Sequence, residues 1–145
     1  MPTTRRSRTV ADVPERVWET VGDPYHLPRW WPRVERVEAV VGDRFTEVLT
    51  TDRGRSVRAD FRVLESRAPE LRVWEQEVAG SPFERIMASA RTEVALAPDG
   101  GGTRVTLAVR QRMRGTARLA GWIVRRGTRR VLDDALRALG ELHGG

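Results

Sequence analysis

The chain has 145 residues, of which 32% are charged and 39% hydrophobic, with a formal net charge of +6 and no cysteine. That length suits one domain over residues 1–145, built on a single core or a core with a cavity. The missing cysteines exclude a disulfide framework and thiolate chemistry. No run approaches the roughly 18 apolar residues that a membrane span needs, so stable membrane insertion is not expected.

All 26 basic residues are arginine, and neither lysine nor asparagine occurs. This reads as a bias towards GC-rich codons, with arginine standing in for ordinary surface lysine. The arginines run through every segment, mostly beside acidic neighbours. The positive charge is therefore read as solvated surface rather than as a nucleic-acid patch. The opening MPTTRRSRTV has arginines with no apolar run after them, so no secretory signal is expected and a cytoplasmic location is the default.

Residues 5–10 alternate weakly and predict an opening strand, with Arg5, Arg6 and Arg8 charging a sheet edge. Asp12-Val13-Pro14-Glu15 starts a short helix, with Asp12 or Val13 at the cap and proline in the first turn. Val13, Val17, Trp18 and Val21 form its apolar side, and Gly22-Asp23-Pro24 ends it. Residues 25–31 predict a second brief helix, closed by Pro32.

From Val34 the pattern changes to period two. Val37, Ala39 and Val41 alternate with charged residues up to a turn at Gly42-Asp43. Phe45, Glu47 and Leu49 follow, then a turn at Asp52-Arg53-Gly54. Val57, Ala59, Phe61 and Val63 alternate with Arg58, Asp60 and Arg62 as a half-buried strand. Ala68-Pro69 breaks the pattern. Residues 71–78 are strand-like, Gly80-Ser81-Pro82 is a loop, and residues 86–96 form another strand. Pro98-Asp99-Gly100-Gly101-Gly102 is a hairpin loop. Val105, Leu107 and Val109 mark the last strand. Short connections imply antiparallel neighbours.

Residues 115–142 are the longest segment without proline. Val124, Thr128, Val131, Leu132, Ala135, Leu139 and Leu142 form one stripe at helical period. Arg129 with Asp133, Arg130 with Asp134, and Arg137 with Glu141 stand four apart, which predicts ion pairs on the exposed face. Such a helix needs a surface to cover its stripe. Strands followed by one long helix indicate an α+β sheet covered on one face.

This order resembles the helix-grip fold of the SRPBCC superfamily, specifically its polyketide cyclase/dehydrase-like and lipid-transfer-like branch, in a superfamily that includes START domains and the major birch-pollen allergen. The resemblance is carried by VPERVWETVGDPYHLPRWWPRVERVE over residues 13–38, by Gly100-Gly101-Gly102-Thr103-Arg104-Val105, and by the closing helix. It implies a seven-stranded curved antiparallel sheet wrapped around a long C-terminal helix, with two short helices after strand 1. It also implies a cavity between sheet and helix for a hydrophobic or amphipathic small molecule, such as a lipid, quinone or aromatic polyketide. No shared catalytic signature is matched, so whether the protein is an enzyme stays open.

Within that frame, the small residues Ala88, Ala90 and Thr92 are the residue-level sign of a cavity, because small inward side chains leave volume unless a large neighbour fills it. The expected ligand-binding wall is Trp30, Phe61, Trp74, Gln76, Ala90, Val109 and Trp122. Trp30 and Trp31 are adjacent and must point differently, and for Trp122 a lid contact and simple packing stand equal. Strand 71–78 alternates poorly, which a bulge or a change of environment along the strand would reconcile. His26, on its loop, is expected to be solvent-exposed rather than a general acid or base, and His143 to lie in a mobile tail. Two histidines without paired spacing argue against a metal site, and no cofactor is expected.

The main expectation is a carrier or sensor of a hydrophobic ligand. The first alternative is a polyketide aromatase/cyclase or dehydratase drawing on Gln76, Thr92, Arg72 and Gln111. The second is an interaction module with a filled interior. The arginines from Arg112 to Arg130 are read as a solvated face partly paired with Asp133 and Asp134, with transient contact to anionic lipid as the alternative. The protein is expected as a monomer, or as a homodimer through a free sheet edge.

Overall fold

The computed structural model describes residues 3–144. Seven strands form one antiparallel sheet: β1 (Thr3–Val10), β2 (Val34–Val41), β3 (Arg44–Thr50), β4 (Ser56–Arg67), β5 (Leu71–Gln76), β6 (Met87–Asp99) and β7 (Gly102–Met113). Their spatial order is β1-β7-β6-β5-β4-β3-β2, so only the β1–β7 pairing joins strands that are not consecutive. Two short helices, α1 (Pro14–Val21) and α2 (Leu27–Trp30), bridge β1 to β2, and a long helix α3 (Gly121–Leu142) closes the chain.

The sheet curls because its strands are unequal and bulged. Register shifts interrupt β2 against β3 in two places, β4 against β5 between Val63 and Glu65, and β6 against β7 between Met87 and Ser89. Each extra residue increases local twist and bends the strand. The bulge suggested for β5 thus lies opposite it, in β4. The β6–β7 hairpin is tight: Gly100 and Gly101 both have positive φ, which glycine adopts without penalty. Gly102 has a different reason to be glycine, since a Cβ there would sit 2.1 Å from the Val10 carbonyl oxygen.

α1 begins at Pro14 without a side-chain cap and buries Pro14, Val17, Thr20 and Val21. Expected helical residues 115–120 wind as a 3₁₀ segment instead. Leu119 is largely exposed, and Gly115 has φ 58°, outside the right-handed helical region.

α3 divides into two halves. Its second half buries Leu132, Ala135, Leu136 and Leu139 against a core that includes Val10, Trp30, Val105 and Leu107. Truncating one such leucine to alanine costs about 2–5 kcal/mol. Leu142, placed on the stripe by sequence, is exposed, and Leu136 takes the buried position. The first half has no buried residue; Val124, Thr128 and Val131 are only partly covered. It spans a hollow.

The helix ends on a tether. His143 is buried, with its Nδ1 2.7 Å from Asp12 Oδ2 and its Nε2 2.9 Å from Thr20 Oγ1. The Asp12 amide also donates to the His143 carbonyl at 3.2 Å. The expected mobile tail is therefore corrected: the helix runs long enough to land on the β1–α1 junction, where two polar partners wait.

Candidate functional site

The hollow under the first half of α3 is a cavity of about 620 Å³, within the usual range for small-molecule sites. Its floor is the concave face of the sheet: Glu47 and Leu49 from β3, Phe61 from β4, Trp74 and Gln76 from β5, Ala90 and Thr92 from β6, Val109 and Gln111 from β7. The two-residue period of each strand sends these side chains to one side. Ile123, Val124, Gly127, Thr128 and Val131 of α3 form the roof, and Trp31 and Pro32 close one flank. The wall is mostly apolar. Ala90 and Gly127 add little bulk to it, and that helps keep the space open.

Aromatic rings lead from the core to the cavity. Trp30 meets Trp31 edge to face at 5.4 Å, and Trp31 meets Trp74 at 6.1 Å with planes 72° apart. Phe45 stacks on Phe61 at 5.4 Å. These contacts hold large planar surfaces in fixed orientation along the wall.

Glu47 is the unusual member. It is only 4% exposed, and no hydrogen bond or ion pair joins its side chain to another described residue. Burial pushes its carboxyl up to about 8 from an ordinary 4.5, because water is removed and no cation replaces it. At neutral pH it is mostly the uncharged acid, able to donate a proton in a hydrogen bond. Gln76 Nε2 is likewise buried without a partner. Gln111 is already engaged, accepting from Thr128 Oγ1 at 3.0 Å, and so ties β7 to the roof. Charged groups stand at the mouth: Arg33 is paired with Asp52, with Arg130 and Asp134 nearby on α3.

Of the seven residues expected at the wall, Phe61, Trp74, Gln76, Ala90 and Val109 meet around this cavity. Trp30 and Trp122 do not. Trp30 is 2% exposed in the core, and its neighbour Trp31, in extended backbone at the end of α2, faces the cavity instead. Trp122 is 61% exposed. It precedes Val124 by two residues, about 200° around the helix from the roof stripe, and Ile123 takes the place at the cavity.

Arg72 lies outside the cavity lining and donates to Ser66 Oγ at 3.1 Å. Burial lowers its pKa while Asp23 opposes that shift. His26 is half-buried, its Nδ1 bonded to the Glu19 carbonyl at 2.9 Å, which makes it a brace for α1. Among the described residues no cluster of three or more His, Cys, Asp or Glu side chains could hold a metal ion.

A family model described as polyketide cyclase/dehydrase and lipid transport matches residues 1–144. The chain belongs to that family. This family member shares its helix-grip fold with solved structures of low sequence identity. A START superfamily protein from Mycobacterium smegmatis superposes with a TM-score of 0.81 at 13% identity, covering 98% of this chain and 97% of that one. A protein from Thermus thermophilus gives 0.76 at 22% identity, covering 97% and 95%. The di-domain ARO/CYC BexL from the BE-7585A biosynthetic pathway gives 0.78 at 20% identity, with 97% of this chain matched to 46% of that one. The family member thus spans about half of that di-domain chain. Comparison with curated protein sequences gave no match.

Beside the roof of this family member lies a basic surface whose pairing differs from expectation. Asp133 pairs with Arg6 of β1 at 2.8 Å, and Asp134 pairs with Arg137 at 3.3 Å. The predicted Arg129–Asp133 and Arg130–Asp134 pairs do not form: Arg6 takes Asp133 across the fold, and Arg137, three residues on along the same helix, takes Asp134 in place of the predicted pairing of Arg137 with Glu141. From Gly100 to Leu132 the chain carries arginines and no acidic residue. Arg112, Arg114, Arg118, Arg125, Arg126, Arg129 and Arg130 make no ion pair among the described residues. Leu119 and Ile123, 83% and 52% exposed, stand among them with Trp122. No helix of the described residues is long and apolar enough to cross a membrane.

Proposed function

We propose that this protein binds a hydrophobic small molecule, as a carrier or sensor, in the cavity between its sheet and the first half of α3. The observation that carries this reading is the mostly apolar hollow of about 620 Å³ beneath a helix half that buries no residue of its own. Leaving such a volume dry and unfilled forfeits packing; a ligand supplies the missing contacts. A lipid, a quinone or an aromatic polyketide would each fit the mixture of rings and aliphatic groups. The family description and the ARO/CYC likeness support this range of ligands without choosing within it.

The cyclase or dehydratase reading is weaker on this geometry. Catalysis of that kind needs several polar groups converging near a reacting carbonyl. Of the four suggested suppliers, Arg72 lies outside the lining and Gln111 is engaged by Thr128. A ligand-free interaction module is disfavoured by the open interior.

The arginine-rich surface around Leu119, Trp122 and Ile123 supports a further part of the same reading, loading of the ligand from an anionic membrane surface. Arginine attracts anionic headgroups, and exposed tryptophan and leucine suit the headgroup boundary. Ile123 and Arg130 belong both to this surface and to the cavity lining.

The reading is tested by native mass spectrometry of gently purified protein, with Ala90→Trp as the control. A stoichiometric hydrophobic mass should leave on denaturation of the wild type and be absent from Ala90→Trp, whose circular dichroism should remain native. Retention of the same mass by the variant would take β6 out of the binding wall. An empty wild type that also shows no thermal shift across a lipid and aromatic library would remove the ligand-binding reading.

A further inference from the structure

We infer that Glu47 and Gln76 form a donor pair that selects an uncharged ligand carrying carbonyl oxygens on an aromatic frame. This rests on the ligand-binding reading above and narrows it to a chemical class.

Glu47 stands opposite Ala59, and Gln76 opposite Phe61, so the two residues flank β4 from either side. Their backbones are two strands apart, about 10 Å across the sheet, and offset by two residues, about 7 Å along it. Both line the cavity, and Phe61 and Trp74 line it with them. A flat ring entering this wall meets aromatic surface in the middle and a polar group on each flank.

Both polar groups are without partners. Gln76 Nε2 is buried and unbonded, and the Glu47 side chain is more than nine-tenths buried with no bond to any described residue. A buried donor left unsatisfied costs stability, and native structures rarely keep two on one wall without a use. The charged groups that share the cavity with Glu47 are Arg33, Asp52, Arg130 and Asp134. Arg33 is neutralised by Asp52. Asp134 is held by Arg137. Arg130, on the exposed face of α3, is the remaining cation, and Glu47 forms no ion pair with it. Burial without a cation therefore keeps the Glu47 carboxyl protonated at neutral pH, and the acid O–H and the amide N–H are then both donors. Acceptors on the ligand satisfy them. An anionic ligand gains no cation on this wall, and a plain hydrocarbon leaves both donors bare.

The test uses two probes of matched shape, 2-methyl-1,4-naphthoquinone and 2-methylnaphthalene, titrated by calorimetry into the wild type, Glu47→Ala, Glu47→Gln and Gln76→Ala. The chain has no cysteine, so the quinone finds no thiol to alkylate. The wild type at pH 6.5 should bind the quinone at least tenfold more tightly than the naphthalene. Glu47→Ala and Gln76→Ala should each shrink that preference several-fold with little change in naphthalene affinity. Glu47→Gln, which keeps a donor, should retain the preference. Raising the pH to 9.5 should erode it in the wild type and not in Glu47→Gln. Equal binding of both probes by the wild type would mean that water holds the pair; it would overturn this inference and leave the cavity reading standing. Binding of neither, with native circular dichroism, would also overturn this inference, and the lipid and aromatic library would then decide the ligand-binding reading by itself.

Discussion

Burying Glu47 makes stability depend on pH in a direction opposite to the usual carboxylate. Its pKa is about 8 in the folded protein against an ordinary 4.5. Below about 4.5 both states hold the proton and the residue adds no pH-dependent penalty. Between 4.5 and 8 the unfolded chain releases its proton while the native state keeps it, so the native state binds more protons and stability falls as pH rises. The slope is about 1.4 kcal/mol per pH unit, levelling off above pH 8. Glu47→Gln should abolish this contribution and exceed the wild type in unfolding free energy at pH 8 by roughly 3–5 kcal/mol. Urea titrations at pH 5 and pH 8 measure it. Parallel behaviour of the two proteins would show that Glu47 is ionised in the native state. The position was legible as a period-two partner of Phe45 and Leu49, an inward place in a strand. A charged residue there conflicts with the apolar pattern, and such conflicts tend to mark function.

At the scale of elements, α3 does two jobs along one stripe. Its helical period was plain from sequence, and its second half packs as that period demands. The hollow under its first half was not plain, because a sequence stripe says which side faces inward and not how far away the facing wall is. The run of small residues Ala88, Ala90 and Thr92 was the available hint; Ala90 and Thr92 line the hollow, and Ala88, beside the β6 bulge, does not. The anchoring of the helix end depends on His143, whose ring joins Asp12 and Thr20, more than 120 residues away in sequence. His143→Ala removes both bonds and leaves buried Thr20 short of a partner, for an expected loss of about 1–3 kcal/mol. Trp122→Ala, on the exposed face, should change stability by less than about 0.5 kcal/mol. Thermal unfolding of the two variants side by side distinguishes them, and an unchanged midpoint in His143→Ala would refute the tether.

Across the whole molecule, the charge is polarised towards the start of α3. The reading of that region as a solvated, partly paired face relied on Asp133 and Asp134, four residues from Arg129 and Arg130. Asp133 is redirected across the fold to Arg6, and Asp134 pairs within the helix with Arg137. With each basic residue near an anionic surface worth about 1 kcal/mol, the unpaired group would supply the attraction that the membrane-loading proposal requires. Wild-type protein should co-sediment with vesicles containing 30% phosphatidylglycerol at low salt, and not with pure phosphatidylcholine. Arg125→Glu combined with Arg129→Glu should release it, as should 0.5 M salt. Wild-type protein left in the supernatant with anionic vesicles would end the membrane-loading reading.

The order of strands and helices, the antiparallel sheet and the inward faces of most strands were determined by the sequence alone. Hydrophobic period, proline and glycine are local signals, and they act within a few residues. The core position of Trp30 and the cavity position of Trp31, the redirected partner of Asp133, the anchoring of His143 and the empty volume beside Glu47 were decided only by tertiary structure. Each depends on which distant side chain arrives within a few ångströms once the sheet has curled, and no local pattern encodes that distance.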